Sequence, residues 1–71
     1  MPIKAQVGET AGEVWRLLKS EGPQTMAQLK KKLKRTNELL NFAVGWLARE
    51  NQVDIIEEKK GPRVQYLVQL K

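Results

Sequence analysis

One stretch limits the folds open to this chain more than any other: Thr25 to Val53, TMAQLKKKLKRTNELLNFAVGWLARENQV. Thr25 with Gln28 three residues on is a capping-box signature. Leu29 and Leu33 fall on one face of the helix it opens. The run Lys34, Arg35, Thr36 holds no apolar residue and ends in a new N-cap, Thr36 or Asn37. Leu40, Ala43, Val44 and Leu47 then recur at i, i+3, i+4 and i+7, the spacing of an amphipathic helix. Asn51 suits the left-handed position beyond that helix, and Val53 opens a β-branched run. Two helices, a tight basic turn and a strand predict a helix-turn-helix with a wing attached.

The flanks complete that order. Pro2 to Val7 alternates Ile3, Ala5 and Val7 with Lys4 and Gln6, and reads as a short extended arm or edge strand within residues 1–9. Thr10 and Glu13 form a second capping-box signature. The helix it predicts runs to about Glu21 with Ala11, Val14, Trp15, Leu17 and Leu18 on its apolar face, Trp15 as a core residue. Gly22 and Pro23 stop it, and Gln24 suits a residue or two of bridging strand. Val53–Glu57 and Arg63–Leu70 read as two strands turning at Gly61-Pro62. Their register points Val64, Tyr66, Val68 and Leu70 to the core and leaves Ile56 and Leu67 together on the opposite face. The expected fold is α+β: a winged helix-turn-helix, with a three-helix core and a C-terminal β-hairpin wing. It forms one domain over 1–71, with the helix-turn-helix at 25–51 and the wing at 53–70. Packing the hairpin on the helices is the economical way to cover its apolar face.

Composition narrows the chemistry. The 71 residues include no cysteine and no histidine, so a disulfide framework, a thiolate metal site and the commonest general base are all excluded. A chain this short buries roughly 60% of its unfolded surface, and small domains without staples often gain stability by oligomerising. No apolar run approaches the roughly 20 residues of a membrane span. No signal-peptide pattern is present, which makes a cytoplasmic protein the default. The net charge of +5 favours an anionic partner. Its distribution says more: five of the six residues from Lys30 to Arg35 are basic, whereas Thr36 to Glu58 is predominantly acidic.

The segment Val7-Gly8-Glu9-Thr10-Ala11-Gly12 followed by Trp15, together with Gly45-Trp46-Leu47-Ala48-Arg49-Glu50, resembles a family of small bacterial winged helix-turn-helix proteins of unknown function. The resemblance covers about Val7 to Leu70, and the two motifs together are more specific than either alone. It implies a winged-helix fold and a homodimer. It implies no established activity, since a fold hosts many functions.

Two sets of candidate residues follow. Lys30, Lys31, Lys32, Lys34 and Arg35 lie at the end of the second helix and in the turn, where a docked helix-turn-helix passes the phosphate backbone. Lys59, Lys60 and Arg63 surround the wing tip. On the third helix Asn41 has the chemistry to read adenine and Arg49 guanine, although Glu38 near its start would repel phosphate. The same charges equally suit a solvated surface. The second set is an apolar stripe, Leu39, Phe42 and Trp46, about 110° from the core stripe at about 100° per residue. It is either covered within the chain or forms a protein interface with aromatic anchors. Catalytic residues, a metal site and cofactors are not expected, and no small-molecule substrate or membrane partner is evident. Three readings remain: DNA binding, as in a transcriptional regulator; a protein-interaction module or homodimer without direct DNA readout; and a structural adaptor whose basic surface meets an acidic protein partner.

Overall fold

The computed structural model describes residues 2–71. The element order is α1 (Ile3–Glu21), β1 (Gln24–Thr25), α2 (Met26–Leu33), α3 (Asn37–Arg49), β2 (Val53–Lys60) and β3 (Arg63–Leu70). Three helices followed by an antiparallel hairpin make a winged-helix fold, α+β overall.

The helix boundaries are written in local chemistry. Thr25 Oγ1 accepts from the Gln28 amide at 3.1 Å, and Gln28 Oε1 accepts from the Thr25 amide at 2.8 Å, a complete capping box at the start of α2. Thr36 Oγ1 accepts from the Leu39 amide at 3.2 Å and caps α3. Lys34 ends α2 in the left-handed region at φ 54°, and Asn51 follows α3 at φ 62°. Gly22, at φ 83°, ends α1 and donates its amide to the Leu18 carbonyl.

The N-terminus differs from expectation. Residues 2–9 form no arm or strand, because α1 begins at Ile3 and runs through Gly8 without a break. Met1, also within the expected arm, lies outside the described residues. Thr10 therefore does not cap; it is buried inside α1, and its hydroxyl donates to the Gln6 carbonyl at 2.7 Å. The physical reason is a stripe longer than the alternation. Val7, Ala11, Val14 and Leu18 continue one helical face, and that burial outweighs the cost of up to about 1 kcal/mol for a helical glycine.

The core is a single cluster. Ala11, Val14 and Leu18 come from α1, Leu29 from α2, and Leu40, Ala43, Val44 and Leu47 from α3, closed by Val53 and Val68 from the hairpin. Each fully buried Leu or Val contributes about 1.5–3 kcal/mol relative to leaving it exposed. Trp15 stands at the edge of this cluster, half-buried, with the Lys19 ammonium 4.9 Å from its ring centroid.

The sheet order is β1-β3-β2, all antiparallel. Gln24 pairs with Val68 and Thr25 with Leu67, which ties the start of α2 to the wing. At the base of the hairpin Val53 and Val68 are buried. Towards the tip the same face carries Ile55, Tyr66 and Val64, which remain 43%, 45% and 46% exposed. Tyr66 and Val64 thus have the expected parity but are only partly covered, Tyr66 bordering a groove with α2 and α3. Ile56 and Leu67 face each other across the hairpin on its other side.

Candidate nucleic-acid interface

The basic residues expected to meet phosphate divide into two groups. Arg35 is committed within the chain: its Nε donates to Glu13 Oε1 at 2.9 Å and its Nη2 to Glu13 Oε2 at 2.7 Å. The hydrogen bond from Arg35 is the main reason the Glu13 carboxyl is held below its ordinary range; burial opposes it, and the nearby charges of Arg35 and Arg16 add to it. Lys32 is likewise held. Its ammonium donates to Glu21 Oε1 and to the buried Gln24 Oε1, each at 2.8 Å. Both residues fasten the basic segment to α1 and β1, so their charges are partly neutralised before any ligand arrives.

Lys30, Lys31 and Lys34 are exposed at the end of α2, and among the described residues they have no carboxylate within ion-pair distance. Lys59, Lys60 and Arg63 flank the wing turn, are exposed, and are similarly unpaired. Glu58, beside them, accepts from Gln65 Nε2 at 3.0 Å rather than from a tip lysine. Two clusters of three cations are therefore available to an anion.

α3, the helix that would enter a groove, presents a different surface. Opposite its core stripe lie Glu38, Phe42, Gly45 and Arg49, all exposed. Asn41, on one flank, borders a groove of about 180 Å³ shared with Met26, Gly45, Ile55 and Tyr66. The other flank is apolar. Phe42 and Trp46 are 54% and 52% exposed, while Leu39 is half-buried. They are only partly covered within the chain: Phe42 and Trp46 line a groove of about 380 Å³ with Ile3, Lys4, Val7 and Gly8 of α1. Ile3 is itself 54% exposed.

Ile3 and Val7 belong to this apolar surface as part of α1, and not to the strand that their alternation with Lys4 and Gln6 suggests. The helical spacing of Ile3 and Val7 with Ala11 was the signal that could have found them. Among the described residues no helix is long and apolar enough to cross a membrane, and no group of acidic side chains is set to hold a metal ion.

Comparison with known proteins adds the lineage. A family model described as a winged helix-turn-helix domain (DUF2582) matches residues 2–66. An uncharacterized protein of Methanocaldococcus jannaschii is 33% identical over 58 residues, covering 78% of this chain and 81% of that relative. No solved structure matches the chain significantly.

Proposed function

The chain belongs to the winged helix-turn-helix family DUF2582, and from that premise we propose that it is a DNA-binding protein that contacts duplex DNA chiefly through phosphates, with weak sequence preference. The observation that carries this reading is the pair of exposed cation clusters, Lys30-Lys31-Lys34 and Lys59-Lys60-Arg63, at the end of α2 and at the wing, unpaired among the described residues. Lys and Arg at such positions release condensed counterions when they meet phosphate. Lys32 and Arg35 add to the local potential while remaining tied to Glu21 and Glu13. Asn41 and Arg49 are the donors on α3 for base edges, and the neighbouring Glu38, Phe42 and Gly45 keep their discrimination low. The role is binding rather than catalysis, and a cytoplasmic location belongs to the same reading, as does a part in transcriptional regulation.

The test is titration of a random-sequence duplex at several salt concentrations, followed by backbone amide shifts. Six phosphate contacts predict a slope of about −5 for log K against log salt, with shifts clustered at 30–41 and 59–63. Binding indifferent to salt, or none at low salt, would overturn the reading.

A second reading is favoured by a specific observation: Phe42 and Trp46 stay more than half exposed beside an equally exposed Ile3. In that reading Leu39, Phe42 and Trp46 form a protein-contact surface. Trp46→Glu is then expected to leave the fold intact and abolish association; unfolding would instead make the stripe part of the core.

A further inference from the structure

The start of α2, one flank of α3 and the wing border a groove of about 180 Å³, lined by Met26, Asn41, Val44, Gly45, Ile55 and Tyr66. Tyr66 and Ile55 leave 45% and 43% of their surface in water, and Asn41 is exposed beside them. Gly45 sits mid-helix, where glycine is a poor helix former. A Cβ there would meet nothing within 4 Å, so no contact inside the fold requires its absence.

We propose that this groove takes one unpaired base of single-stranded DNA, while the wing cations hold the phosphates beside it. Size, shape and charge select that occupant. Sites for whole drug-sized ligands run from about 300 to 1,000 Å³, so this groove suits a single flat ring. Tyr66 offers a ring face for stacking, which every base can use, and Gly45 leaves bare backbone that a base can approach closely. Asn41 supplies a donor and an acceptor for a base edge. Arg63 lies three residues before Tyr66 on β3, about 10 Å away along the strand at about 3.3 Å per residue. Lys59 stands across the hairpin from Val64, and Lys60 from Arg63. A strand whose base occupies the groove can therefore lay its neighbouring phosphates against the wing tip.

Glu57 sharpens the choice. It pairs with Tyr66 across the hairpin, so the two side chains share a face, and it is exposed. Its carboxylate repels phosphate but accepts from the amino group of cytosine. At this point the groove admits a base edge and turns the backbone towards the tip. A base stacked within a duplex does not reach the groove; it must first leave the stack. The inference rests on the phosphate-contact reading above and deepens it: the DNA favoured is one with an unpaired stretch.

The test compares a short oligo(dC), an abasic oligomer of the same length and a random-sequence duplex, by fluorescence anisotropy at low salt. The two single strands carry the same phosphates and differ only in their bases. The oligo(dC) is expected to bind about tenfold or more tighter than the abasic strand, the scale of a stacked base. Gly45→Ala puts a methyl group into the groove and is expected to remove that advantage, with an unchanged or raised urea midpoint. Tyr66→Leu should remove it as well, whereas Tyr66→Phe, which keeps the ring, should retain it. The Asn41 side-chain amide and the Gly45 backbone amide should shift with oligo(dC) and not with the abasic strand. Equal binding of the two single strands, or a Gly45→Ala protein that keeps the full preference, overturns base capture and leaves phosphate contact standing. No binding of any of the three DNAs at low salt overturns both.

Discussion

The Arg35 guanidinium holds the Glu13 carboxylate in a fork, at 2.9 and 2.7 Å, and so joins the turn between α2 and α3 to the middle of α1. The two residues lie far apart in sequence and on different elements. The pair links the helix-turn-helix to the first helix, and it turns one residue of the basic run into a brace.

The brace gives stability a pH dependence with a definite sign. Hydrogen bonding to Arg35 depresses the folded-state pKa of Glu13. Its contribution is therefore complete above the carboxyl's unfolded-state pKa and is lost as pH falls through the folded-state value. Urea unfolding of the wild type and of Arg35→Met should differ at neutral pH and converge in acid. Carboxyl carbon shifts should report Glu13 titrating below the ordinary glutamate range. A stability gap that stays constant across that range would mean that the ion pair is not its source.

The division of the basic run makes a second prediction. Lys30→Gln and Lys31→Gln should each lower the salt slope of DNA binding by about 0.9 and leave the unfolding midpoint unchanged. Lys32→Gln should do the reverse, lowering the midpoint because Gln24 and Glu21 lose their donor, with a smaller effect on the slope. Fluorescence anisotropy of a labelled duplex and urea denaturation measure the two properties on the same proteins.

Lys34 separates fold from function at one position. It occupies the left-handed region at φ 54°, which costs a residue with a Cβ about 1–2 kcal/mol. Lys34→Gly should relieve that strain and raise stability by up to about 1 kcal/mol, yet weaken DNA binding in parallel with the Lys30 and Lys31 variants. A gain in stability with unchanged binding would remove Lys34 from the phosphate-contact set.

The two faces of α3 should respond oppositely to truncation. Leu40→Ala, at a site 1% exposed, should cost about 2–5 kcal/mol, enough to threaten the fold of so small a chain. Phe42→Ala should cost the isolated monomer much less, because its ring already meets water. Comparing the two by urea denaturation at low protein concentration distinguishes core from surface.

The parts of this fold readable from the sequence are those set by neighbours within a few residues. Thr25 with Gln28, Thr36 before Leu39, and Leu40-Ala43-Val44-Leu47 each carry their meaning in a local period or cap. The N-terminus was misread because three apolar residues, Ile3, Ala5 and Val7, alternate like a strand, while Ile3 and Val7 also fit a helical face. What decides for the helix is the continuation of that face through Ala11, Val14 and Leu18. The Arg35–Glu13 and Lys32–Glu21 pairs had no local signature, since the partners meet only after the helices pack. Tyr66 and Val64 were given the right parity and the wrong environment. Parity is a property of the strand, whereas burial depends on how far the helical layer extends beneath it.

The central strand of the sheet is β3, residues 63–70, flanked by β1 at 24–25 and β2 at 53–60. During synthesis, the segment that joins the other two strands is the last of the three to leave the ribosome. Until then α1, α2 and α3 have no partner for the apolar positions that Val68 closes. Closing the long loop from Thr25 to Leu67 carries an entropic cost before its contacts repay it. Such a chain is expected to fold only once β3 is available, in one cooperative step rather than helix by helix, and more slowly than a three-helix bundle of similar size.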